Sequence, residues 1–371
     1  MKITNVMTDS NVGGAGVQIA SLSKALSNDF DIEIIIPRGS MLKGRLSGCG
    51  AKVKELDFSA DKSFSPRDVH SFHRFFHNNP CDILHTHAAL SARLGALGTP
   101  VGVKISTRHC ATPSGAVKPM GGVRKRLYNL CTDMTVSTAQ YAEGNLIKEG
   151  VPRGKILTVQ NGVAPLEKIT EEERKALLNE LEIPRNAIIL GSSARLEDVK
   201  GQDLMIKALT RLKDEFPRLY LLLIGDGSCR GEYERLAARL GVLPRVRFTG
   251  YISAPSRLQN LFFLNINASR GTETSCLATS EAMSLGIPTV ASSFGGNCEM
   301  IFHGKNGLIF RSDDSDALAT EIKKLLINPS LYRKLSLGAE EIFKGRFSIE
   351  VMAEKYKRLY LELGKLRACK R

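Results

Sequence analysis

The chain has no tryptophan among its 371 residues, which removes the indole platforms on which a lectin surface stacks sugars. No apolar run approaches the roughly 20 residues of a membrane-spanning helix. The opening MKITNVMTDS also lacks the longer apolar core of a secretory leader. Eight cysteines, at 49, 81, 110, 131, 229, 276, 298 and 369, include no C-x-x-C pair, so they read as reduced packing residues rather than a zinc site or a disulfide frame. Together these absences point to a cytoplasmic protein. Helix-turn-helix, zinc-finger and aromatic RNA-platform signatures are missing too, which argues against nucleic acid as partner despite the basic balance.

What is present is a globular composition, 43% hydrophobic and 24% charged, over a length suited to two or three domains. The net charge of +14 is spread along the chain. Residues 1–165 carry 20 Lys/Arg against 12 Asp/Glu, and the remainder 32 against 26. A balance of this sign attracts anionic lipid surfaces or phosphate-bearing small molecules.

Strand and helix signals alternate throughout. Residues 2–7 read as a strand, Gly13, Gly14 and Gly16 as a turn, and the following segment as a helix. Strands are expected at Asp31–Pro37, Val53–Leu56, Asp82–His87, Val101–Thr107, Asp133–Ser137 and Ile156–Val159, with a helix over Pro66–His77 burying Phe72, Phe75 and Phe76. A charged helical segment, 165–184, precedes a second series with strands at Ala187–Ser192, Leu219–Ile224, Val246–Thr249, Phe263–Asn267, Thr289–Ala291 and Gly307–Phe310, and three helices close the chain. This alternation implies α/β architecture, two doubly wound Rossmann-like domains with a boundary near 165, and a ligand cleft at the carboxyl ends of the strands.

The stretch 271–296, GTETSCLATSEAMSLGIPTVASSFGG, places Glu273 and Glu281 eight positions apart around an expected helix start near Cys276 or Leu277. Such a start offers unpaired N–H donors and a positive partial charge to a phosphate or a polyhydroxylated ligand. The first glycine turn reads G-G-x-G, not G-x-G-x-x-G, and no acid ends the second strand, so a dinucleotide assignment is weak. It is either a phosphate loop or simply a tight turn. Arg195 and Lys200 follow the first strand of the second series, and His109 follows the strand ending at Thr107. Cations beside glycine turns suit a diphosphate, and carboxylates suit sugar hydroxyls. The combination points to a nucleotide-sugar.

The ordered motifs GGAG, DILHTH, NGV at 161–163, ARLEDVKG at 194–201, IGDG, FTGY, E-x7-E and FSIEVMAEKYKRLY at 347–360 resemble those of the retaining family 4 (group 1) glycosyltransferases of the GT-B class. The resemblance implies an N-terminal acceptor domain (1–165), a C-terminal nucleotide-sugar donor domain (166–346), and a closing helix (347–371) that crosses back to the first domain. It further implies transfer of a hexose-type unit from a UDP- or GDP-sugar to a glycan or lipid-linked glycan, with retention, in cell-surface polysaccharide synthesis. Arg195 and Lys200 would neutralise the leaving diphosphate, Glu273 would hold the transferred sugar and Glu281 the ribose. Thr274, Ser275, Cys276 and Leu277 would contribute backbone amides. His109 would lie beside the reacting carbon, Gly13 and Gly14 against the diphosphate, Asn161 along the cleft and His87 toward the acceptor. The sequence departs from the family pattern at Thr274-Ser275-Cys276 and Ser280, which bears on sugar selectivity.

No cofactor is expected, and no metal. The two D-x-D strings, Asp29–Asp31 and Asp314–Asp316, sit at a strand start and in a first helical turn. Lys118, Arg124, Lys125 and Arg126 accompany Val123, Leu127 and Leu130 on a segment that is either an ordinary surface helix with an apolar inner face or a peripheral contact with anionic lipid on the inner face of the membrane. A UDP-sugar 2-epimerase and a non-catalytic nucleotide-sugar-binding protein are the alternatives.

Overall fold

The computed structural model describes residues 1–111 and 117–368, so that Cys369 lies outside the described residues. The chain forms two units: Met1–Val163 together with the C-terminal segment from Ile349, and Ala164–Ser348. The first is built on β1 (Lys2–Met7), β2 (Asp31–Pro37), β3 (Lys52–Leu56), β4 (Cys81–His87), β5 (Val101–Arg108), β6 (Met134–Ser137) and β7 (Ile156–Thr158). All pair in parallel, in the order β3-β2-β1-β4-β5-β6-β7. Helices α1 (Gly14–Leu26), α2 (Leu42–Leu46), α3 (Pro66–Asn78), α4 (Leu90–Gly95), α5 (Gly122–Cys131) and α6 (Gln140–Glu149) connect them. The run Ile32–Ile36 is fully buried, as expected of a parallel strand covered on both faces. Helix α3 begins on Pro66 and buries Phe72 and Phe76, one turn apart; Phe75, expected inside, is half-buried at the rim.

The second unit carries β8 (Ile188–Ser193), β9 (Leu219–Ile224), β10 (Val246–Phe248), β11 (Leu264–Asn267), β12 (Thr289–Ser292) and β13 (Gly307–Phe310), again all parallel, in the order β10-β9-β8-β11-β12-β13. Its helices are α7 (Glu171–Glu180), α8 (Gln202–Leu212), α9 (Arg230–Arg239), α10 (Ser256–Gln259), α11 (Leu277–Ser284), α12 (Asn297–Met300), α13 (Ser315–Ile327) and α14 (Pro329–Ile342). Some helix starts are capped by side chains: Thr170 and Glu173 form a capping box on α7, and Asp314 accepts from the N–H groups of Asp316 and Ala317 on α13. The second D-x-D string is therefore a helix cap. The first makes ion pairs, Asp29 with Lys357 and Asp31 with Lys52.

The last helix, α15 (Ile349–Ala368), belongs to the first unit. Its Ile349, Met352, Tyr356, Leu359, Tyr360 and Leu363 are buried among Ile3, Met7, Ile19, Ile83 and Ile105. In each sheet the strand order reverses beside the first strand, between β1 and β4 and between β8 and β11. These reversals are where ligands of open α/β sheets bind. Among the described residues no helix is long and apolar enough to cross a membrane.

Candidate functional site

In the second unit, Lys200 and Glu273 meet at the reversal between β8 and β11. Lys200 stands on the loop after β8, where Asp198–Lys200 makes a single 3-10 turn ended by Gly201. Gly201 has φ +68°, and a Cβ there would lie 2.3 Å from the Ala268 carbonyl oxygen, so only glycine fits. The Lys200 ammonium donates to Glu273 Oε2 at 2.9 Å, and the Ser269 hydroxyl donates to the same oxygen at 2.7 Å. Glu273 is 5% exposed. Desolvation works to lower the Lys200 pKa, but the facing carboxylate outweighs it and the net shift is upward, so the ammonium stays charged. Ser269 escaped the sequence reading, although a small hydroxyl directly past a strand and four residues before Glu273 was the available signal.

The segment after Glu273 is held from behind by the Gly295-Gly296 turn. A Cβ on Gly296 would fall 1.6 Å from the Thr274 carbonyl oxygen, so this glycine is obligatory. Thr274 and Ser275 are buried, and Cys276 is the N-cap of α11, its N–H directed at Met300 Sδ at 3.2 Å. Burial pushes the Cys276 thiol up to about 11, with Glu273 adding to the shift and Lys200 opposing it, which makes the thiol inert at neutral pH. Leu277 opens α11, which has no side-chain cap and no acid in its first turn. Glu281 is half-buried on the second turn and accepts from Gln259 Nε2 at 2.8 Å. Gln259 was not anticipated from sequence because it lies 22 residues away on another helix.

Arg195 is exposed, and its carbonyl accepts from Gln202 Nε2 at 2.9 Å. Its charge is felt by both Lys200 and Glu197. Arg270, also unanticipated, braces the Lys200 loop by pairing with Asp198 at 3.0 Å, Asp203 at 2.5 Å and Asp313 at 2.7 Å.

In the first unit, Gly13 is the N-cap of α1 and Gly14 its first residue; both are exposed, and the helix start has no side-chain cap and no acid. Gly13 has φ −118° and nothing within 4 Å of a Cβ, so neither backbone geometry nor crowding demands glycine there. His109 is half-buried just past β5, its Nε2 at 2.7 Å from His87 Nδ1. His87 is 1% exposed, so its ring reaches His109 and not the surface. Burial lowers the His109 pKa to about 4 and that of His87 well below the ordinary imidazole value. Both rings are therefore neutral at pH 7. Asn161 is buried near the point where the chain leaves this unit.

Lys118, Arg124, Lys125 and Arg126 are exposed, and so are the three apolar residues between them: Val123 at 75%, Leu127 at 43% and Leu130 at 64%. Their spacing puts them on one stripe of α5. The inner side is made instead by Cys131 and by Tyr128, whose ring stacks on Arg93 and whose hydroxyl bonds Thr135 Oγ1.

Comparison with known proteins follows the same division. Residues 12–165 match the family model described as Glycosyltransferase Family 4, and residues 173–341 that described as Glycosyl transferases group 1. The lipopolysaccharide core biosynthesis glycosyltransferase LpsD of Rhizobium meliloti (strain 1021) is 31% identical over 182 residues, 49% of this chain, which spans about half (51%) of that relative's length. The uncharacterized glycosyltransferase YqgM of Bacillus subtilis (strain 168) is 26% identical over 91% of this chain and 90% of its own. Anabaena Alr3699/HepE, solved in complex with UDP and also with UDP-glucose, superposes with a TM-score of 0.84 at 21% identity in the UDP complex, over 98% of this chain and 100% of that one. With both family models matched in order along two parallel, doubly wound sheets, the chain belongs to the group 1 glycosyltransferases of the GT-B class.

Proposed function

We propose that this protein transfers a hexose-type sugar from a UDP- or GDP-sugar to a hydroxyl of a glycan or lipid-linked glycan in cell-surface polysaccharide synthesis, with retention at the anomeric carbon and without a metal. The observation that carries the reading is the Lys200–Glu273 pair at 2.9 Å beside the uncapped start of α11. A charged lysine, with Arg195 exposed on the same loop, can take up the negative charge that develops on a leaving diphosphate. One such group is worth about 3 kcal/mol of the barrier. In this reading Glu273 accepts hydrogen bonds from hydroxyls of the transferred sugar, and Glu281, oriented by Gln259, accepts from the ribose. The backbone amides of the segment Thr274 to Leu277 leading into α11, the Cys276 N–H exchanging Met300 Sδ for the ligand, and the α1 start at Gly13 and Gly14 suit phosphate oxygens. His109 works beside the sugar as a neutral ring, His87 acts through His109, and Asn161 contributes to donor binding. UDP complexes of a structural neighbour and a lipopolysaccharide-assembling relative support the donor and acceptor classes.

A thermal-shift screen against UDP, GDP, ADP and their sugars tests the donor, since a ligand of the native state raises its stability by mass action. Stabilisation by a nucleotide-sugar, with acceptor-dependent release of the nucleotide, is the expected result. Conversion of the sugar nucleotide without any acceptor would instead identify an epimerase. Binding without transfer or hydrolysis, unchanged in Glu273→Ala, would identify a non-catalytic binder.

The outward stripe of α5 favours a peripheral contact with anionic lipid. Apolar side chains enter the headgroup boundary while Lys118, Arg124, Lys125 and Arg126 meet the charge. Wild-type protein should co-sediment with phosphatidylglycerol-containing liposomes at low salt, and an Arg124/Lys125/Arg126→Ala variant should not. Equal binding of both would remove the contact from the proposal.

A further inference from the structure

We propose that Tyr360, on the C-terminal helix, is a positioning residue for His109, acting through the buried sequence His85, Thr107 and His87. Its hydroxyl lies 2.8 Å from His85 Nδ1, while His85 Nε2 lies 2.6 Å from Thr107 Oγ1. The His85 ring packs on that of His87 with centroids 4.6 Å apart, and His87 in turn bonds His109. Tyr360, His85, Thr107 and His87 are each at most 3% exposed.

The hydrogen-bond pattern assigns the tautomers. Burial holds His85 neutral, its pKa lowered to about 3, so it carries one ring proton. His85 is the only hydrogen-bond partner of the Tyr360 hydroxyl among the described residues, and a phenol is a better donor than acceptor. Tyr360 therefore donates to Nδ1, and the ring proton sits on Nε2, donated to Thr107. This fixes the His85 ring at both edges. His87 has no partner at Nε2 among the described residues. A buried bare acceptor is tolerated better than a buried bare N–H. Nδ1–H of His87 therefore donates to His109 Nε2, leaving the His109 proton on Nδ1. A helix that joins the first unit only after the whole second unit has been traversed thus fixes the His85 ring on which His87 packs, and through that packing the seating of the histidine nearest the proposed chemistry.

The catalytic consequence rests on the role proposed for His109, whereas the positional one does not. The test is Tyr360→Phe in the full chain, which keeps the ring packing and removes only the hydroxyl, with Thr107→Val as an independent cut in the same sequence. Long-range nitrogen–proton correlations should place the wild-type ring protons on Nε2 of His85 and Nδ1 of His87 and His109. Either variant should shift the His109 ring nitrogens and lower kcat on the order of tenfold, because small misplacements of a reacting group are costly, while leaving the stabilisation by UDP unchanged. Unaltered His109 signals and unaltered kcat in both folded variants would overturn the proposal. If the wild type shows no transfer at all, the functional reading fails, and the ring signals alone still decide the positioning one.

Discussion

The two units carry their chemistry in opposite ways. The second unit uses full charges held in pairs: Lys200 on Glu273, Arg270 on Asp198, Asp203 and Asp313. The first uses neutral rings, His85 and His87 in the interior and His109 half-buried beside them, all lowered well below the ordinary imidazole pKa by burial. The contrast is physical. Under the proposed function, a group that meets a diphosphate must be charged beforehand, and a buried charge persists only if paired. A group proposed to sit beside a sugar carbon needs orientation more than charge, and orientation comes from packing. Each unit therefore has its own weak point.

The largest effect is expected from breaking the charged pair on one side only. Lys200→Met leaves the Glu273 carboxylate at 5% exposure without its partner, which should cost about 3 kcal/mol of stability in the second unit and about 100-fold or more in kcat. The double variant Lys200→Met/Glu273→Gln should recover most of the stability and none of the activity. Chemical denaturation and steady-state transfer, measured on the same preparations, check both statements. A double variant as unstable as the single one would mean that the pair does not set the stability of this loop.

The second effect separates the units by pH. The folded-state pKa values of His85, His87 and His109 are lowered, so between about 6.5 and about 4 the unfolded chain binds protons at these positions that the folded unit does not. Stability is thus complete above about pH 6.5 and declines as the pH falls toward 4. In the second unit Lys200, shifted upward, keeps its charge across this window. Hydrogen exchange at pH 7 and pH 5, corrected for intrinsic rates, should show β4 and β5 losing protection while β8 and β9 hold theirs. Parallel loss in both would contradict the comparison.

How far the sequence revealed these arrangements depends on what binds the groups together. Strands and long helices were legible, because unbroken β-branched runs and one-face periodicity are local signals. The short helices α2 and α12 were not, having too few apolar positions to show a period. The glutamates and Lys200 were legible from their place after strands, yet the Lys200–Glu273 contact spans 73 residues and follows only from the order of β8 and β11. The Tyr360–His85 bond spans 275 residues and depends on where α15 docks, which no local pattern records. The α5 stripe shows a further limit: a period gives the existence of an apolar face but not which way it points, and here it points outward.

A smaller effect should come from Gln259→Leu, which removes the donor that fixes Glu281. If Glu281 holds the ribose, losing one hydrogen bond of about 1 kcal/mol from its orientation should raise the donor KM about fivefold and leave kcat nearly unchanged. A change in kcat instead would place Glu281 closer to the chemistry than proposed.

The smallest structural effect is expected at Gly13, and it sharpens the comparison most. Gly296 in the second unit is required by the fold, since the Thr274 carbonyl occupies the position of a Cβ. Gly13 has an ordinary φ and open space around it, so Gly13→Ala should change stability by no more than about 0.5 kcal/mol. If glycine is there so that a diphosphate can approach the start of α1, the same variant should weaken UDP stabilisation in the thermal-shift assay despite its unchanged melting temperature without ligand. A methyl group that alters neither property would make the first turn a tight connection only, and would leave the proposed diphosphate contacts to the second unit.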